Sequence, residues 1–141
     1  MNSFIKHSLL LIIFTCSINF NVFAVEESST NHIESIVLGS GCFWGAEKGY
    51  EALPGVIKAI SGYADGRGVR PNYRDITQLK NRSNPNNHAE VVKVTFNSQL
   101  INLEDLLQHY FENHDPTQLN RQGNDIGTQY RSIILYENDN Q

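Results

Sequence analysis

Cys42 is the residue of this chain with the clearest potential for chemistry. It lies in residues 41–45 (GCFWG), after the apolar residues 36–38 and at the start of a segment with helical periodicity. The thiolate form of cysteine is the nucleophile, and the N-terminus of a helix favours that anion. The neighbouring Phe43 and Trp44 would supply an apolar clamp for a small substrate group. A buried structural thiol is the alternative role, because free cysteines are among the most buried residues.

Three further segments carry side chains suited to catalysis, and each lies at a strand end or in a long polar stretch. They are residues 72–73 (NY), 88–90 (HAE) and 123–130 (GNDIGTQY). Loops at such positions can converge over one edge of a sheet and form a ligand site. Glu90 is a candidate general acid, since burial beside aromatic side chains keeps a carboxyl protonated. Considered alone, Glu90 is equally compatible with an ordinary surface carboxylate.

The other polar and aromatic residues of these segments also have ordinary roles when each is considered alone. Tyr73 and Tyr130 suit a core or its rim, and Trp44 suits a core. Asp125 suits a tight turn, because aspartate followed closely by glycine favours one. Their joint presence with Cys42 is what favours a catalytic site.

Three other kinds of chemistry can be compared with the pattern of these residues. The His88-x-Glu90 element is similar to one half of the zinc deaminase signature, but the companion Pro-Cys-x-x-Cys is absent, so no metal site is predicted. No glycine-rich motif that would cradle a phosphate is present. A cysteine hydrolase would use Cys42 as nucleophile and His88 or His114 as base. The residues alone leave that alternative open.

Residues 1–24 have the pattern of a secretory signal peptide. Lys6 precedes the apolar run 9–14, and residues 22–24 (VFA) end in a small residue, so cleavage is predicted after Ala24. The apolar run is shorter than the ~20 residues that a membrane span requires. We therefore expect an exported, periplasmic protein with no stable membrane association after cleavage.

The net charge and the number of cysteines limit the possible functions further. The 141 residues carry a formal net charge of −4 and two cysteines, Cys16 and Cys42. Cleavage would remove one lysine and no acid, and so acidic a protein is not expected to bind nucleic acid. It would also remove Cys16 and leave Cys42 unpaired, which in an exported protein marks a candidate reactive thiol. Residues 25–34 are predicted to be a disordered lead-in and residues 35–141 a single domain.

The domain is predicted to contain four strands and two helices. The strands are 35–38, 56–60, 90–96 and 132–136; the helices are 43–53 and a second one that begins at Asn102 and stops before Pro116. Residues 90–96 alternate, with Val92, Val94 and Phe96 facing the core. Two long polar loops, 63–89 and 115–131, are of a length that is usually functional or disordered.

The second helix has clear signals for its start and its buried face. Asn102 can cap it, with Asp105 completing a capping box. Its apolar face is Leu103, Leu106, Leu107, Tyr110 and Phe111. The order β-α-β-β-α-β is that of the split βαβ arrangement. We therefore expect an α+β fold, a ferredoxin-like two-layer sandwich with both helices on one face of the sheet and long active-site loops.

The motifs together resemble those of the A-type peptide-methionine (S)-S-oxide reductases. The resemblance rests on residues 41–45 (GCFWG), 88–90 (HAE), 114–118 (HDPTQ) and 121–132 (RQGNDIGTQYRS), and it extends from about Ser35 to Tyr136. It implies an oxidoreductase that reduces methionine S-sulfoxide, free or in proteins, and so repairs oxidised proteins.

The resemblance also implies a role for each motif residue. Cys42 matches the nucleophile, which becomes a sulfenic acid, and Glu90 matches the acid that donates a proton to the sulfoxide oxygen. Tyr73 and Tyr130 match the two phenols around that oxygen. Asp125 matches the carboxylate near the nucleophile. Phe43 and Trp44 match the residues that hold the S-methyl group of the substrate.

The resemblance implies no cofactor and no metal, but it does require a reductant. Members of the family usually continue past the last strand into a tail that carries resolving cysteines, and this sequence lacks such a tail. We therefore expect an external thiol to recycle Cys42, supplied by a thioredoxin-like or glutaredoxin-like protein or by glutathione. The alternative is a truncated remnant that binds oxidised methionine without turnover.

Overall fold

The computed structural model describes residues 32–68 and 70–141. The predicted signal peptide and residues 25–31 of the predicted lead-in lie outside the described residues. Strand β1 begins at Ile33, so the last two residues of that lead-in belong to the sheet. They do so because Ile33 pairs with Asn97 and Glu34 with Phe96.

The centre of the fold is a four-stranded antiparallel sheet in the order β2-β3-β1-β6. Its strands are β1 (Ile33–Ser40), β2 (Val56–Ala64), β3 (Ala89–Asn97) and β6 (Ser132–Leu135). Two helices follow β1 and β3: α1 (Phe43–Glu51) and α3 (Leu103–Asn113). The ferredoxin-like sandwich predicted from the element order is confirmed.

The core lies between the sheet and the two helices. Alternate residues of β1 and β3 face it, since a strand turns successive side chains to opposite sides. Tyr50 of α1 and Leu106 and Tyr110 of α3 complete it from the helix side. The sheet residues of this core cluster are Ile36, Leu38, Ala59, Val92, Val94 and Phe96. Both helices therefore cover one face, and the predicted orientation of the third strand is confirmed.

Helix α3 starts as predicted. The Asn102 side chain accepts from the backbone N–H of Asp105 at 2.8 Å, and the Asp105 carboxylate accepts from the N–H of Asn102. This capping box satisfies two donors that the first turn of a helix leaves unpaired. The prediction that Phe111 belongs to the buried face is wrong, because its side chain is 51% exposed.

The two polar loops contain more structure than their composition indicates. Strand β2 continues to Ala64, four residues beyond its predicted end, because it pairs with β3 as far as Ala89. The first loop then forms the short helix α2 (Tyr73–Ile76) and a 3₁₀ turn. The second loop contains a small hairpin, β4 (Arg121–Gln122) and β5 (Asp125–Ile126), and another 3₁₀ turn (Thr128–Tyr130). Helix α1 ends at Glu51 and β6 at Leu135, slightly before their predicted ends.

Membrane-spanning helices and metal-binding clusters are both absent from residues 32–68 and 70–141. None of the helices there is long and apolar enough to cross a bilayer. No group of three or more histidine, cysteine, aspartate or glutamate side chains in that part of the chain is placed to hold a metal ion.

Candidate active site

Cys42 occupies the residue immediately before the first turn of α1. It is the N-cap, with an extended backbone, and its side chain is exposed. The preceding Gly41 has φ +99°, and a Cβ there would lie 2.7 Å from the Cβ of Gln122. Only glycine accepts both conditions. The backbone therefore turns sharply after β1 and places the Cys42 thiol at the N-terminus of α1, the positive end of the helix dipole.

Glu90 lies directly beside this turn. It is the second residue of β3, and its side chain is 1% exposed. One carboxyl oxygen, Oε2, accepts from the backbone N–H of Phe43 at 3.2 Å. Burial raises the pKa of Glu90; the Phe43 hydrogen bond lowers it, and the charge of Asp125 raises it again. Since burial disfavours the charged form, the carboxyl remains protonated at a higher pH than an exposed glutamate does.

Tyr63 is a site residue that the sequence analysis missed. It pairs with Glu90 across β2 and β3, so both side chains lie on the same face of the sheet. Its ring packs against Phe43 with the ring centres 5.4 Å apart. Burial raises the pKa of Tyr63, and the charge of Glu90 raises it further. No local pattern marks this residue, because neither the residue types nor the burial of β2 alternate between Ser61 and Ala64.

The two predicted phenols reach the same region from the loops. Tyr130 ends the second 3₁₀ turn and is half-buried. Burial raises its pKa first, and the negative charge of Glu90 raises it next. Tyr73 begins α2 and is 59% exposed, so it lies at the rim. Tyr73 and Tyr130 line one pocket together with Asp125.

The two aromatic residues after Cys42 differ in their exposure. The Phe43 ring is half-buried between Tyr63 and Trp44, and its centre lies 6.3 Å from the centre of the Trp44 ring, edge to face. Trp44 is 77% exposed. Phe43 is therefore the more enclosed of the two rings and Trp44 the more accessible. Asp125, also exposed, lies in β5 and contributes to the field at both Glu90 and Tyr130.

The guanidinium group of Arg131 forms hydrogen bonds to the loops that carry these residues. Arg131 donates to the carbonyls of Asn87 at 3.1 Å and Thr128 at 2.6 Å, and to the carboxylate of Asp65 at 3.0 Å. The buried Asn87 side chain in turn donates to the Ile76 carbonyl at 3.0 Å. Charged donors form the stronger hydrogen bonds, so this group joins both ends of the first loop to the second loop. Sequence reasoning did not identify either residue.

The two histidines proposed as hydrolase bases do not serve Cys42. His114 is buried, with Nδ1 2.5 Å from the Tyr110 carbonyl and Nε2 3.1 Å from the Ser132 hydroxyl. Both of its ring nitrogens are therefore engaged in structural contacts. His88 lines a separate polar pocket with Arg67, Asp75 and others, and Cys42 is not part of that pocket. Neither His88 nor His114 is therefore placed to act as the base of a cysteine hydrolase.

The arrangement has a definite chemical capability. Cys42 directly precedes Phe43, the residue whose backbone amide donates to the Glu90 carboxyl, and burial favours the neutral form of that carboxyl. Such a pair can attack an electrophilic centre while it protonates an oxygen attached to that centre. Phenols around the same space can stabilise charge on that oxygen. An apolar wall beside the thiol would hold a small alkyl group.

Comparisons with known proteins identify the family of this chain. The model of the family described as "Peptide methionine sulfoxide reductase" matches residues 34–141. The chain is 49% identical over 109 residues to the peptide methionine sulfoxide reductase MsrA of Saccharolobus solfataricus, covering 77% of this chain and 59% of that protein. It is 51% identical over 104 residues to the protein of the same name in Natronomonas pharaonis, covering 74% of this chain and 56% of that protein.

A solved structure shows the same fold. Methionine sulfoxide reductase A of Corynebacterium diphtheriae superimposes with a TM-score of 0.70 at 40% identity, covering 79% of this chain and 50% of that one. The chain thus spans little more than half the length of these relatives. Because the family model covers most of the 141 residues, the chain belongs to the peptide methionine sulfoxide reductase family.

Proposed function

We propose that this chain reduces methionine S-sulfoxide, free or in proteins, to methionine and thereby repairs oxidised proteins. The observation that carries the proposal is the buried Glu90 carboxyl held on the amide next to Cys42. A sulfoxide sulfur becomes strongly electrophilic only when its oxygen is protonated. A thiol beside a neutral acid meets that requirement, and the membership of the family supports it.

The reaction follows from the positions of these groups. The Cys42 sulfur attacks the sulfoxide sulfur while Glu90 gives its proton to the sulfoxide oxygen. Tyr73 and Tyr130 hydrogen-bond that oxygen as charge develops on it. The oxygen ends on Cys42, so that the cysteine is oxidised to a sulfenic acid and the sulfoxide is reduced to the thioether of methionine.

Geometry would also select the epimer. With the methyl group against Phe43 and Trp44 and the oxygen towards Glu90, only one configuration at sulfur directs its lone pair at Cys42. We expect one exposure to the S-sulfoxide to add a single oxygen atom to Cys42, and one exposure to the R-sulfoxide to leave the thiol unchanged. Mass analysis of the peptide that contains Cys42 measures this. An unmodified Cys42 after both exposures would contradict the proposal.

We also propose that residues 1–24 direct export and that the protein acts in the periplasm. The charged start, the apolar run and the small residue at position 24 support this. In a bacterial host, the periplasmic protein is expected to begin at Val25, as N-terminal analysis would show. The variant Ala24→Tyr should block cleavage and serves as the control. Recovery of uncleaved protein from the cytoplasm alone would count against export.

Tyr63 is expected to position Phe43 and to keep water from Glu90. Removing the ring in Tyr63→Ala should slow methionine formation in a single turnover by about tenfold, since a small displacement of reacting groups is costly. It should also lower the pH at which the rate declines, because burial is what raises the pKa of Glu90. Tyr63→Phe keeps the ring and should stay close to the wild type.

The matched control is Tyr136→Ala, which removes a tyrosine that is 66% exposed at the end of the described chain. Its rate and pH profile should not change. A Tyr63→Ala protein with an unaltered pH profile would show that this residue has only a packing role.

A further inference from the structure

A cleft between α1 and α3 opens beside Cys42 and has no role in the reaction described above. Its volume is about 290 Å³, and its walls include Gly45 and Gly49 of α1 together with His109 and Asn113 of α3. A cavity of this size is at the small end of the range for small-molecule sites.

The cleft lies on a different side of the thiol from the acid. Cys42 and Asp125 line it, whereas Glu90, Phe43 and Tyr130 do not. Glu90 is reached through the amide of Phe43, on the side of α1 that packs against β2 and β3. The sulfur of Cys42 is therefore open from two directions, and the proton donor occupies only one of them.

The space exists because α1 carries glycine on this face. A Cβ on Gly45 would meet no atom within 4 Å, and one on Gly49 would lie 3.2 Å from Nε2 of His109. Glycine within a helix costs roughly 0.5–1 kcal/mol relative to alanine. At Gly49 a larger side chain would crowd His109, which explains why glycine is present there. At Gly45 a side chain would meet no other atom, so the glycine there is explained by the open cleft in front of Cys42.

The opposite wall offers polar groups to a ligand. The Asn113 amide nitrogen donates to the His109 carbonyl at 2.8 Å and lies 3.2 Å from Nδ1 of the same ring. Nδ1 is thus the acceptor, so a neutral His109 carries its hydrogen on Nε2, the atom that faces Gly49. A hydrogen-bond donor therefore points across the cleft towards α1.

We propose that this cleft binds the low-molecular-weight thiol that reduces the sulfenic acid of Cys42; this inference rests on the proposed function. Displacement at sulfur requires the incoming sulfur to approach opposite the leaving oxygen. If the oxygen of the sulfenic acid lies on the Glu90 side, the incoming sulfur must approach from the cleft. A small thiol with polar arms fits the volume and the donor of His109, whereas a protein partner needs about 800 Å² of its own surface.

The step balances as follows. The thiol sulfur forms a bond to the Cys42 sulfur, the sulfur–oxygen bond breaks, and the oxygen leaves as water with the proton of the thiol. A second thiol molecule attacks the resulting mixed disulfide and releases Cys42 as a thiol. Two thiols are oxidised to one disulfide, and the sulfenic acid is reduced.

The test fills the cleft without touching the acid. Gly45→Leu places a side chain into open space and should fold, since it removes a helix glycine. The sulfenic acid is generated with hydrogen peroxide, so that recycling is measured independently of sulfoxide reduction, and glutathione is the thiol. We expect Gly45→Leu to slow recycling by about tenfold, the effect of losing ~1.4 kcal/mol of binding, with an unchanged single turnover of methionine sulfoxide.

Two further variants sharpen the result. Asn113→Leu keeps the size of the side chain but removes the amide that contacts His109 on the opposite wall, and it should slow recycling as well without altering the helix that carries Cys42. Ala52→Leu adds the same side chain to an exposed position at the end of α1, outside the cleft, and should change neither step.

The outcomes separate the two proposals. Recycling at the wild-type rate in both cleft variants would overturn the assignment, and so would slowing with a thioredoxin-like protein but not with glutathione. A parallel loss of the sulfoxide turnover would assign the cleft to the substrate instead and would likewise overturn it. Failure of the wild-type protein to reduce methionine sulfoxide, with peroxide recycling intact, would refute the proposed function alone.

Discussion

Cys42→Ser is expected to abolish methionine formation, with a loss of at least about 10³-fold, because a serine hydroxyl neither ionises near neutral pH nor takes up the oxygen. The thiol is exposed and caps the helix without a side-chain hydrogen bond, so the substitution should leave folding unaffected. The measurement is methionine released per protein molecule from the S-sulfoxide, with and without added thiol.

The controls for this variant exclude trivial causes. Thermal unfolding should match the wild type to within the small change expected of an exposed substitution. Cys42→Ala should be equally inactive, since the loss concerns the sulfur and not the shape of the side chain. Methionine formation by Cys42→Ser at a rate close to that of the wild type would remove the nucleophile from the mechanism.

Glu90→Gln is expected to slow the first step by about 10²–10⁴-fold while substrate binding changes little, the usual effect of losing a general acid. The glutamine has the same shape, and its carbonyl oxygen can still accept from the N–H of Phe43. What it lacks is a proton to give. Single-turnover rates at several substrate concentrations separate the rate of the step from the affinity.

The pH dependence of the first step is a second test of the role of Glu90. In the wild type the first step should decline as pH rises through the raised pKa of Glu90, because only the protonated carboxyl acts as the donor. That decline should be absent from Glu90→Gln. A variant that retained both the wild-type rate and the alkaline decline would show that another group supplies the proton.

The thermal stability of the protein should also depend on the protonation of Glu90. The pKa of Glu90 is raised in the folded protein, so its neutral form favours folding at low pH, and that contribution is lost as pH rises through the folded pKa. Glutamine remains neutral throughout. The unfolding temperature of Glu90→Gln relative to the wild type should therefore increase as pH rises above 4.5, the ordinary value for this group.

Periodicity and capping were sufficient to predict the fold. The alternation of Val92, Val94 and Phe96 placed β3 with its correct face inward, and the pair Asn102 and Asp105 marked the start of α3. These signals are local, since each depends on residues within one element. The order of elements then led to the ferredoxin-like sandwich.

The features that escaped prediction depend on contacts between distant segments. Tyr63 joins the site because of its register with Glu90, and the glycine before it concealed the continuation of β2. Arg131 reaches Asp65 across 66 positions of the sequence, a contact that no local pattern encodes. The cleft beside Gly45 likewise exists only after two helices have packed.

The contacts of Arg131 have a consequence for how proteins of this fold could diversify. Cys42 and Glu90 belong to a framework of a strand, a turn and a helix, whereas Tyr73 and Tyr130 lie in two loops that Arg131 and Thr128 join to each other. Two loops joined in this way can change together while Glu90 keeps its place in the sheet. The loops that would contact the residues around an oxidised methionine can therefore change without changing the groups that would act on its sulfur.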